Sequence, residues 1–309
     1  MRQTILLVED DASDMRLITR AFQKAGMDVD LFRAKDGDEA VAYLDGRGQF
    51  EDRALSPLPS LVLLDIKLPR RSGFEVLSWI RRDPRPLRRT PVVMLTSSRH
   101  SVDINRAYEL GANAYTVKPD TSVELIELLK GLKQFWLEKN EYPITGSAVG
   151  AKFQKAEENR TLRSILLVED ERSDAMLIRR ALTRAGFDGD LRHAPDAYLA
   201  LEMLKEHSNA GELPSVILLD LKLPGMSGLE FLDELRKSPD LRSVPVVVLA
   251  AAHDAETINK AYERGANSYL VKSPDPDEVN RLMLFMQQYW MTMNRNTTRL
   301  VMPGAARQE

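Results

Sequence analysis

Acidic side chains, a hydroxyl and a lysine follow short apolar runs in the first half of this 309-residue sequence. These residues are Glu9, Asp10, Asp65, Thr96 and Lys118. Carboxylates that converge repel one another, and proteins relieve the repulsion by sharing protons or by binding a hard cation. Oxygen ligands favour Mg²⁺, which is typically held by one or two carboxylates together with a phosphate. The residue types therefore predict a magnesium site that handles phosphoryl groups.

Phosphoryl transfer would give each of these residue types a role. The cation would screen the charge of Asp65, whose carboxylate could then attack a phosphoryl group as a nucleophile. The ammonium of Lys118 and the hydroxyl of Thr96 would contact the oxygens of the product. The ordinary alternative for Asp65 alone is that it starts the turn before Pro69.

Strands buried on both faces are predicted to position these side chains. The apolar runs 61–64 and 216–219 lack polar alternation, which is typical of a parallel sheet covered by helices. Asp65 and Asp220 directly follow these runs. Because open parallel sheets bind ligands at the carboxyl ends of their strands, both aspartates are expected at the functional edge of a sheet.

The sequence contains an internal repeat. The pairs of matching stretches are 5–10 and 165–170, 13–14 and 173–174, 61–69 and 216–224, 91–95 and 245–249, and 135–136 and 289–290. Two copies of one domain therefore account for most of the chain. The predicted limits are 1–139 for the first copy, 140–162 for a linker, 163–294 for the second copy and 295–309 for a tail.

Predicted strands and helices alternate within each copy. In the first copy the strands are 4–9, 28–33, 60–65, 91–96 and 114–117, and the helices are 12–25, 37–45, 73–82, 102–110 and 122–139. Gly26 and Gly111 stand where helix ends require a left-handed residue. Alternation of this kind predicts an α/β fold with a doubly wound, parallel, five-stranded sheet.

The joint pattern of acidic pair, aspartate, threonine and lysine-proline resembles the receiver domains of two-component response regulators, which have a flavodoxin-like fold. The resemblance covers about residues 3–139 and 163–294. It implies that Glu9 and Asp10 form the acidic pair of a metal site, with Asp10 as the direct ligand and the backbone carbonyl of Lys67 as a further ligand. It also implies that Asp65 is the phosphoacceptor and Lys118 the phosphate partner. Thr96 would be the switch hydroxyl and Tyr115 the switch aromatic.

The second copy matches this pattern at most positions and departs from it at two. The matching residues are Glu169, Asp170, Asp220, Lys222, Tyr269 and Lys272. Ala250 stands opposite Thr96, and Ser273 replaces Pro119. Alanine cannot donate to a phosphoryl oxygen, and a hydrogen bond to a charged group is worth about 1.5–3 kcal/mol. The second copy is therefore expected to bind metal and phosphate without a coupled switch, with a drifted but working receiver as the alternative.

The aromatic ends of the last helices resemble single-domain regulators associated with phytochrome kinases. They are Phe135 and Trp136 in the first copy and Tyr289 and Trp290 in the second. The predicted last helix of the second copy runs beyond its sheet and leaves its aromatic end exposed, and exposed apolar patches of this kind mark association sites. We expect these residues to form an intramolecular pseudo-dimer, and a homodimer of tandem chains is the alternative.

Composition limits the partners. Lysine and arginine total 43 against 46 acidic residues, which gives a net charge of -3 and no electrostatic case for nucleic acid or an anionic membrane. Cysteine is absent, which excludes disulfides and thiolate chemistry. The first residues lack the apolar length of a signal peptide, and no apolar run could span a bilayer. A cytoplasmic location is therefore expected.

Three functions compete. The first is a stand-alone signalling module that receives its phosphoryl group from a sensor histidine kinase or a phosphotransfer protein, with one Mg²⁺ per copy, and signals by protein binding. The second is an enzyme of the haloacid-dehalogenase type, which needs a second aspartate two residues after the first. Lys67 and Lys222 occupy those positions, so an enzyme is not expected. In the third, the second copy is a scaffold for pseudo-dimerisation that is silent in signalling.

Overall fold

The structure is a computed structural model. It describes residues 3–140, 164–210 and 212–295. Apart from Asn140 and Arg295, the predicted linker and tail lie outside the described residues. The predicted domain limits therefore stay a prediction.

The first copy alternates strands and helices as predicted. Its strands are β1 (Gln3–Val8), β2 (Val29–Ala34), β3 (Leu61–Leu64), β4 (Val92–Thr96) and β5 (Ala114–Val117). Its helices are α1 (Ala12–Lys24), α2 (Gly37–Asp45), α3 (Gly73–Arg82), α4 (Ser101–Glu109) and α5 (Ser122–Leu132). All neighbouring strands are parallel, in the order β2-β1-β3-β4-β5, which confirms the predicted fold class.

The second copy repeats this arrangement. Its strands are β6 (Ser164–Val168), β7 (Asp190–Ala194), β8 (Val216–Leu219), β9 (Val246–Ala250) and β10 (Ser268–Val271). Its helices are α6 (Arg172–Arg184), α7 (Ala197–Ala210), α8 (Gly228–Lys237), α9 (Ala255–Glu263) and α10 (Pro276–Gln288). The order is β7-β6-β8-β9-β10. Within the described ranges, no helix has the length and apolar character that a bilayer span requires.

Local sequence explains where the helices begin and end. Ser72 starts α3 because its hydroxyl accepts from the backbone of Glu75, whose carboxylate accepts in return from Ser72. Gly26 and Gly111 follow helices with φ of +62° and +89°, as predicted for left-handed ends. The strands between the helices, such as Leu61–Leu64, are buried on both faces.

The last helix of the first copy differs from the prediction of one regular helix over 122–139. The α-helix ends at Leu132, and Lys133–Lys139 continue it with the wider π-helical turn. Four consecutive residues, 134–137, are buried there, which one face of an α-helix could not achieve. The second copy ends in the same way, with a π-helical segment at Tyr289–Met293.

These two helix ends contact each other through their aromatic residues. The rings of Phe135 and Tyr289 stack with their centroids 4.8 Å apart, and Trp136 and Trp290 pack edge-on around them. Both tryptophans are 0% exposed. We call these four residues the aromatic cluster. It joins α1 and α5 to α6 and α10 in one hydrophobic core.

Asn140, at the end of the first copy, forms hydrogen bonds with residues of the second copy. Its side-chain oxygen accepts hydrogen bonds from the Tyr262 hydroxyl at 2.9 Å and from the Tyr269 backbone N–H at 3.0 Å. Asn140 is itself buried. The first copy therefore supplies a polar partner to the fifth strand of the second copy.

Asn294 makes the reciprocal contacts. Its side-chain oxygen accepts from the Tyr108 hydroxyl at 2.8 Å and from the Tyr115 backbone N–H at 3.0 Å. The backbone N–H of Arg295 then donates to the carbonyl of Tyr115 at 2.7 Å. The two copies thus exchange equivalent helix ends, and a pseudo-two-fold axis relates them. We call Asn140 and Asn294 the crossing asparagines.

Candidate functional site

The sheet order brings Glu9 and Asp65 side by side. Each directly follows its strand, and β1 pairs with β3 so that Val8 lies opposite Leu64. The Asp65 N–H donates to the carbonyl of Val8 at 3.1 Å. Glu9 and Asp65 are only 2% and 5% exposed. Two carboxylates therefore lie buried at one edge of the sheet, as the sequence predicts.

Lys118 lies at the centre of this site. It follows β5, and its Nζ donates to Asp65 Oδ2 at 2.6 Å, to Asp14 Oδ2 at 3.0 Å and to Glu9. Three acids from three elements thus converge on one ammonium group. Asp14 belongs to α1, so the lysine also ties that helix to the strand ends.

Burial and charge act in opposite directions on these groups. Burial raises the pKa of Glu9 to about 7, although the hydrogen bond and charge of Lys118 lower it. Burial lowers the pKa of Lys118, but the carboxylates of Asp65 and Glu9 outweigh this and leave its pKa raised. The lysine therefore stays charged at neutral pH and balances acids that would otherwise repel.

Backbone groups orient the second oxygen of Asp65. Oδ1 accepts from the N–H of Ile66 at 2.6 Å and from the N–H of Lys67 at 3.3 Å. The carboxylate is thus fixed from both sides, with Oδ2 on the lysine. An oriented, buried carboxylate is suited to attack an electrophile that reaches it from the strand ends.

The oxygen donors of the second copy fit a hard divalent cation. In the second copy, ligand oxygens of Glu169, Asp170 and Asp220 lie within 4.8 Å of one another, close enough to reach one ion. Within the described residues this is the one such group of three. Asp10 in the first copy is exposed and is not among the partners of Lys118.

Thr96 and Tyr115 meet at the same loop. Thr96 ends β4 and is fully buried, and its hydroxyl accepts weakly from the Ser98 N–H at 3.4 Å. The Tyr115 hydroxyl donates to the carbonyl of Ser98 at 3.1 Å. Burial raises the pKa of Tyr115 to about 12, so its hydroxyl keeps the proton it donates. A movement of Thr96 would therefore reach Tyr115 through two residues of backbone.

The second copy repeats the lysine-centred cluster. Lys272 Nζ donates to Glu169 Oε2 at 2.6 Å, to Asp174 Oδ2 at 3.2 Å and to Asp220. The Lys222 N–H donates to Asp220 Oδ1 at 3.0 Å. Burial raises the pKa of Glu169 to about 7, as it does for the equivalent acid in the first copy. The charged part of the site is thus the same in both copies.

The switch position separates the two copies. Ala250 ends β9 where Thr96 ends β4, and it offers only a methyl group. Tyr269 still donates to the carbonyl of Ala252, at 2.7 Å. The second copy therefore keeps the buried tyrosine and lacks the hydroxyl that ends the fourth strand of the first copy.

Asp14 and Asp174 also belong to the site, although the strand-end pattern in the sequence does not mark them. Each lies in the first turn of its helix and contacts the central lysine. The signal was present, because Ser13-Asp14 returns as Ser173-Asp174 at matching positions of the repeat. Asp11 starts α1, since its carboxylate accepts from the N–H groups of Ser13 and Asp14.

Comparison with known proteins agrees with this geometry. The family model "Response regulator receiver domain" matches residues 5–130 and 165–283. Response regulator Rcp1 of Synechocystis sp. is 39% identical over 141 residues, which cover 46% of this chain and 93% of Rcp1. Response regulator PleD of Caulobacter vibrioides is 26% identical over 283 residues, covering 91% of this chain and 58% of PleD.

Among solved structures, the phosphorylated cyanobacterial phytochrome response regulator RcpA is 37% identical. The match covers 47% of this chain and all of that one, with a TM-score of 0.44. The two stretches that match the family model each contain one complete lysine-centred cluster. The chain therefore belongs to the response regulator receiver domain family and carries two receiver domains in tandem.

Proposed function

We propose that this protein is a response regulator that accepts a phosphoryl group on Asp65 of the first copy and signals by binding other proteins. The observation that carries the proposal is the contact of Lys118 with Asp65 and Glu9. This contact places the nucleophilic carboxylate of Asp65 beside the ammonium group of Lys118, which can stabilise the negative charge of the transferred phosphoryl group. The domain limits 1–139 and 163–294 are part of the proposal.

In the proposed reaction, an oxygen of Asp65 attacks the phosphorus of a phosphohistidine. The bond between phosphorus and the imidazole nitrogen breaks, and the electron pair leaves with the histidine. Lys118 and Thr96 then donate to oxygens of the new acyl phosphate. Because the Thr96 hydroxyl contacts the N–H of Ser98, whose carbonyl holds the Tyr115 hydroxyl, movement of Thr96 shifts that ring.

Mg²⁺ is the proposed cofactor, one ion per copy. The ligands would be Glu9, Asp10, Asp65 and the Lys67 carbonyl in the first copy, and Glu169, Asp170, Asp220 and the Lys222 carbonyl in the second. When bound, the ion would neutralise charge on the phosphoryl oxygens. The three converging carboxylates of the second copy support this, since hard oxygen ligands suit Mg²⁺.

A sensor histidine kinase or a phosphotransfer protein is the proposed phosphoryl donor, in the cytoplasm. The sequence similarity to the phytochrome response regulator RcpA favours a phytochrome as that kinase. The described residues form two receiver folds, which supports an output through protein binding. The second copy, with Ala250 at the switch position, is proposed to act mainly as a scaffold. Asp220 then accepts phosphate without a coupled movement of Tyr269.

We also propose that the two copies remain packed through the aromatic cluster in solution as an intramolecular pseudo-dimer. The stacking of Phe135 on Tyr289 and the burial of both tryptophans support this. Sedimentation should give the mass of one chain, and small-angle scattering a compact shape. A mass of two chains would favour the homodimer, and an extended monomer would exclude both arrangements.

Phosphorylation with acetyl phosphate and Mg²⁺, followed by intact-mass and peptide analysis, tests the proposal. Asp65→Asn should remove the adduct from the first copy, and Asp220→Asn should remove it from the second. EDTA should prevent both. Labelling of the first copy that persists in Asp65→Asn would show that another residue is the phosphoacceptor.

A further inference from the structure

A cavity lies between the two copies beside the pseudo-two-fold axis. It has a volume of about 410 Å³, within the range of small-molecule sites. Its charged lining residues are Arg81, Arg88 and Arg89 with Glu109 from the first copy, and Arg236 and Arg242 with Glu263 from the second. Five guanidinium groups therefore face two carboxylates, which leaves an excess of three positive charges.

Two of these arginines are equivalent and are held by neutral groups. Arg81 donates to the Gly111 carbonyl at 2.7 Å and to Asn113 Oδ1 at 2.6 Å. Arg81 also donates to the carbonyls of Arg88 and Thr90. Arg236 donates to Asn267 Oδ1 at 3.0 Å and to the carbonyls of Gly265, Arg242 and Val244. These two guanidiniums therefore contribute positive charge to the cavity but few free donors. In the described parts of the chain, neither has a carboxylate within ion-pair distance. Burial lowers the pKa of both guanidiniums to about 10, which reflects the cost of holding these charges away from water.

The other three arginines leave donors available. Glu263 pairs with Arg88 at 3.3 Å and with Arg89, across the boundary between the copies. The Nε of Arg89 is buried and has no hydrogen-bond partner in the described residues. Arg242 forms no ion pair there either. The cavity thus combines an unpaired buried donor with unbalanced positive charge.

We propose that this cavity binds a small anion that carries two or more phosphoryl groups. Guanidinium groups match phosphate oxygens in geometry and charge. The guanidiniums that keep free donors belong to Arg88, Arg89 and Arg242. Three such groups, with three unbalanced charges, fit a polyphosphate better than a single phosphate. Because residues of both copies line the cavity, such a ligand would also stabilise their packed arrangement. This site is separate from the two lysine-centred clusters.

Titration calorimetry on the full chain tests the proposal, with EDTA present so that no metal supports phosphate binding at the aspartates. Inorganic triphosphate and ATP are the two probes. Binding of both at one site per chain, weakened by added salt, supports recognition of the phosphates alone. Binding of ATP only supports a nucleotide as the ligand. Absence of binding by either probe overturns the proposal.

Arg242→Ala is the informative variant because it breaks no ion pair among the described residues. It should weaken binding about tenfold, since a hydrogen bond to a charged group is lost. Arg82→Ala is the matched control, because Arg82 is an exposed neighbour of Arg81 that does not line the cavity. Glu109→Gln should strengthen binding by removing a negative charge.

Unchanged affinity in both Arg242→Ala and Glu109→Gln would place the bound anion elsewhere and overturn the proposal. Small-angle scattering with and without triphosphate adds a readout that is independent of affinity. Scattering should show that the chain stays compact with triphosphate bound. Thermal denaturation should show that triphosphate raises the midpoint of unfolding. A chain whose copies are separated in solution would also overturn the proposal, because neither copy forms the cavity alone.

Discussion

The two copies hold their central lysine in the same way, yet they differ at the residue that ends the fourth strand. Lys118 and Lys272 each contact three acids with closely similar distances. Thr96 offers a hydroxyl to the site, and Ala250 does not. The lysine-centred cluster is thus kept in a copy that has no hydroxyl at the end of its fourth strand.

The loops that follow these strands differ in a second way. In the first copy the Ser98 hydroxyl donates to Asp103 at 2.5 Å, while its carbonyl accepts from Tyr115. In the second copy Ala252 offers the carbonyl to Tyr269 but has no side-chain donor. The first copy therefore has a polar network from β4 to α4, which the second lacks at the equivalent residue.

The largest expected effect is a loss of stability in variants of the aromatic cluster, to which both copies contribute. Trp136→Ala and Trp290→Ala should each lower the free energy of unfolding by about 3–5 kcal/mol, because both remove a fully buried indole. Urea denaturation followed by circular dichroism measures this. Trp79→Ala, at a half-buried tryptophan outside the aromatic cluster, is the control and should cost less. An unchanged free energy of unfolding in either Trp136→Ala or Trp290→Ala would contradict a hydrophobic core shared by the two copies.

Exchange of the switch residues should sharpen the difference between the copies. Ala250→Thr should tighten binding of beryllofluoride to the second copy, and Thr96→Ala should weaken it in the first. A charged hydrogen bond of about 1.5–3 kcal/mol corresponds to roughly a tenfold to hundredfold change.

Nuclear magnetic resonance of the tyrosine rings gives a second readout of this exchange. In the unmodified protein only Tyr115 should shift with the analogue, and Ala250→Thr should add a shift at Tyr269. Equal responses of both rings before any substitution would contradict the proposed silence of the second copy.

The crossing asparagines test the pseudo-symmetry. Asn140→Ala and Asn294→Ala should each destabilise the protein by about 1–3 kcal/mol, because buried tyrosine hydroxyl and backbone N–H donors lose their acceptor. Hydrogen exchange should report the loss at Tyr269 for the first variant and at Tyr115 for the second. Loss of protection in the copy that carries the substitution, with none in the other, would be inconsistent with crossing.

The smallest expected effect lies at the start of the first helix in each copy. Asp11→Ala should cost about 1 kcal/mol, because its carboxylate caps α1. Glu171→Ala at the start of α6 should change little, since Glu171 makes no side-chain cap hydrogen bond. Thermal midpoints of the two variants measure the difference. Equal decreases in thermal midpoint would contradict the prediction that only α1 is stabilised by a side-chain cap.

The sequence predicted much of this architecture because its signals are local. Continuous apolar runs marked the strands, and their carboxyl ends marked Glu9 and Asp65. Asp11 and the helix-ending glycines were also predictable from capping chemistry. The fold class and the family are confirmed. The proposed roles of the site residues stay predictions.

Features that depend on contacts between distant elements were not predictable in the same way. Asp14 reaches Lys118 only because α1 packs beside the strand ends, and helix propensity does not encode that approach. The π-helical turn after Leu132 arises because consecutive apolar residues find cover on the other copy. Asn140 falls in the predicted linker, and no local signal marks its contacts because its partners Tyr262 and Tyr269 lie more than a hundred residues away.

The exchange of helix ends has a consequence during synthesis. Once the first copy has left the ribosome, Phe135 and Trp136 still lack the aromatic rings that cover them. At about 5–20 residues per second, the roughly 150 residues between Trp136 and Trp290 take about 8–30 s to be added. During that interval a neighbouring nascent chain offers an equivalent surface. Faster translation initiation on one messenger should therefore increase the fraction of chains that pair with a neighbour instead of with themselves.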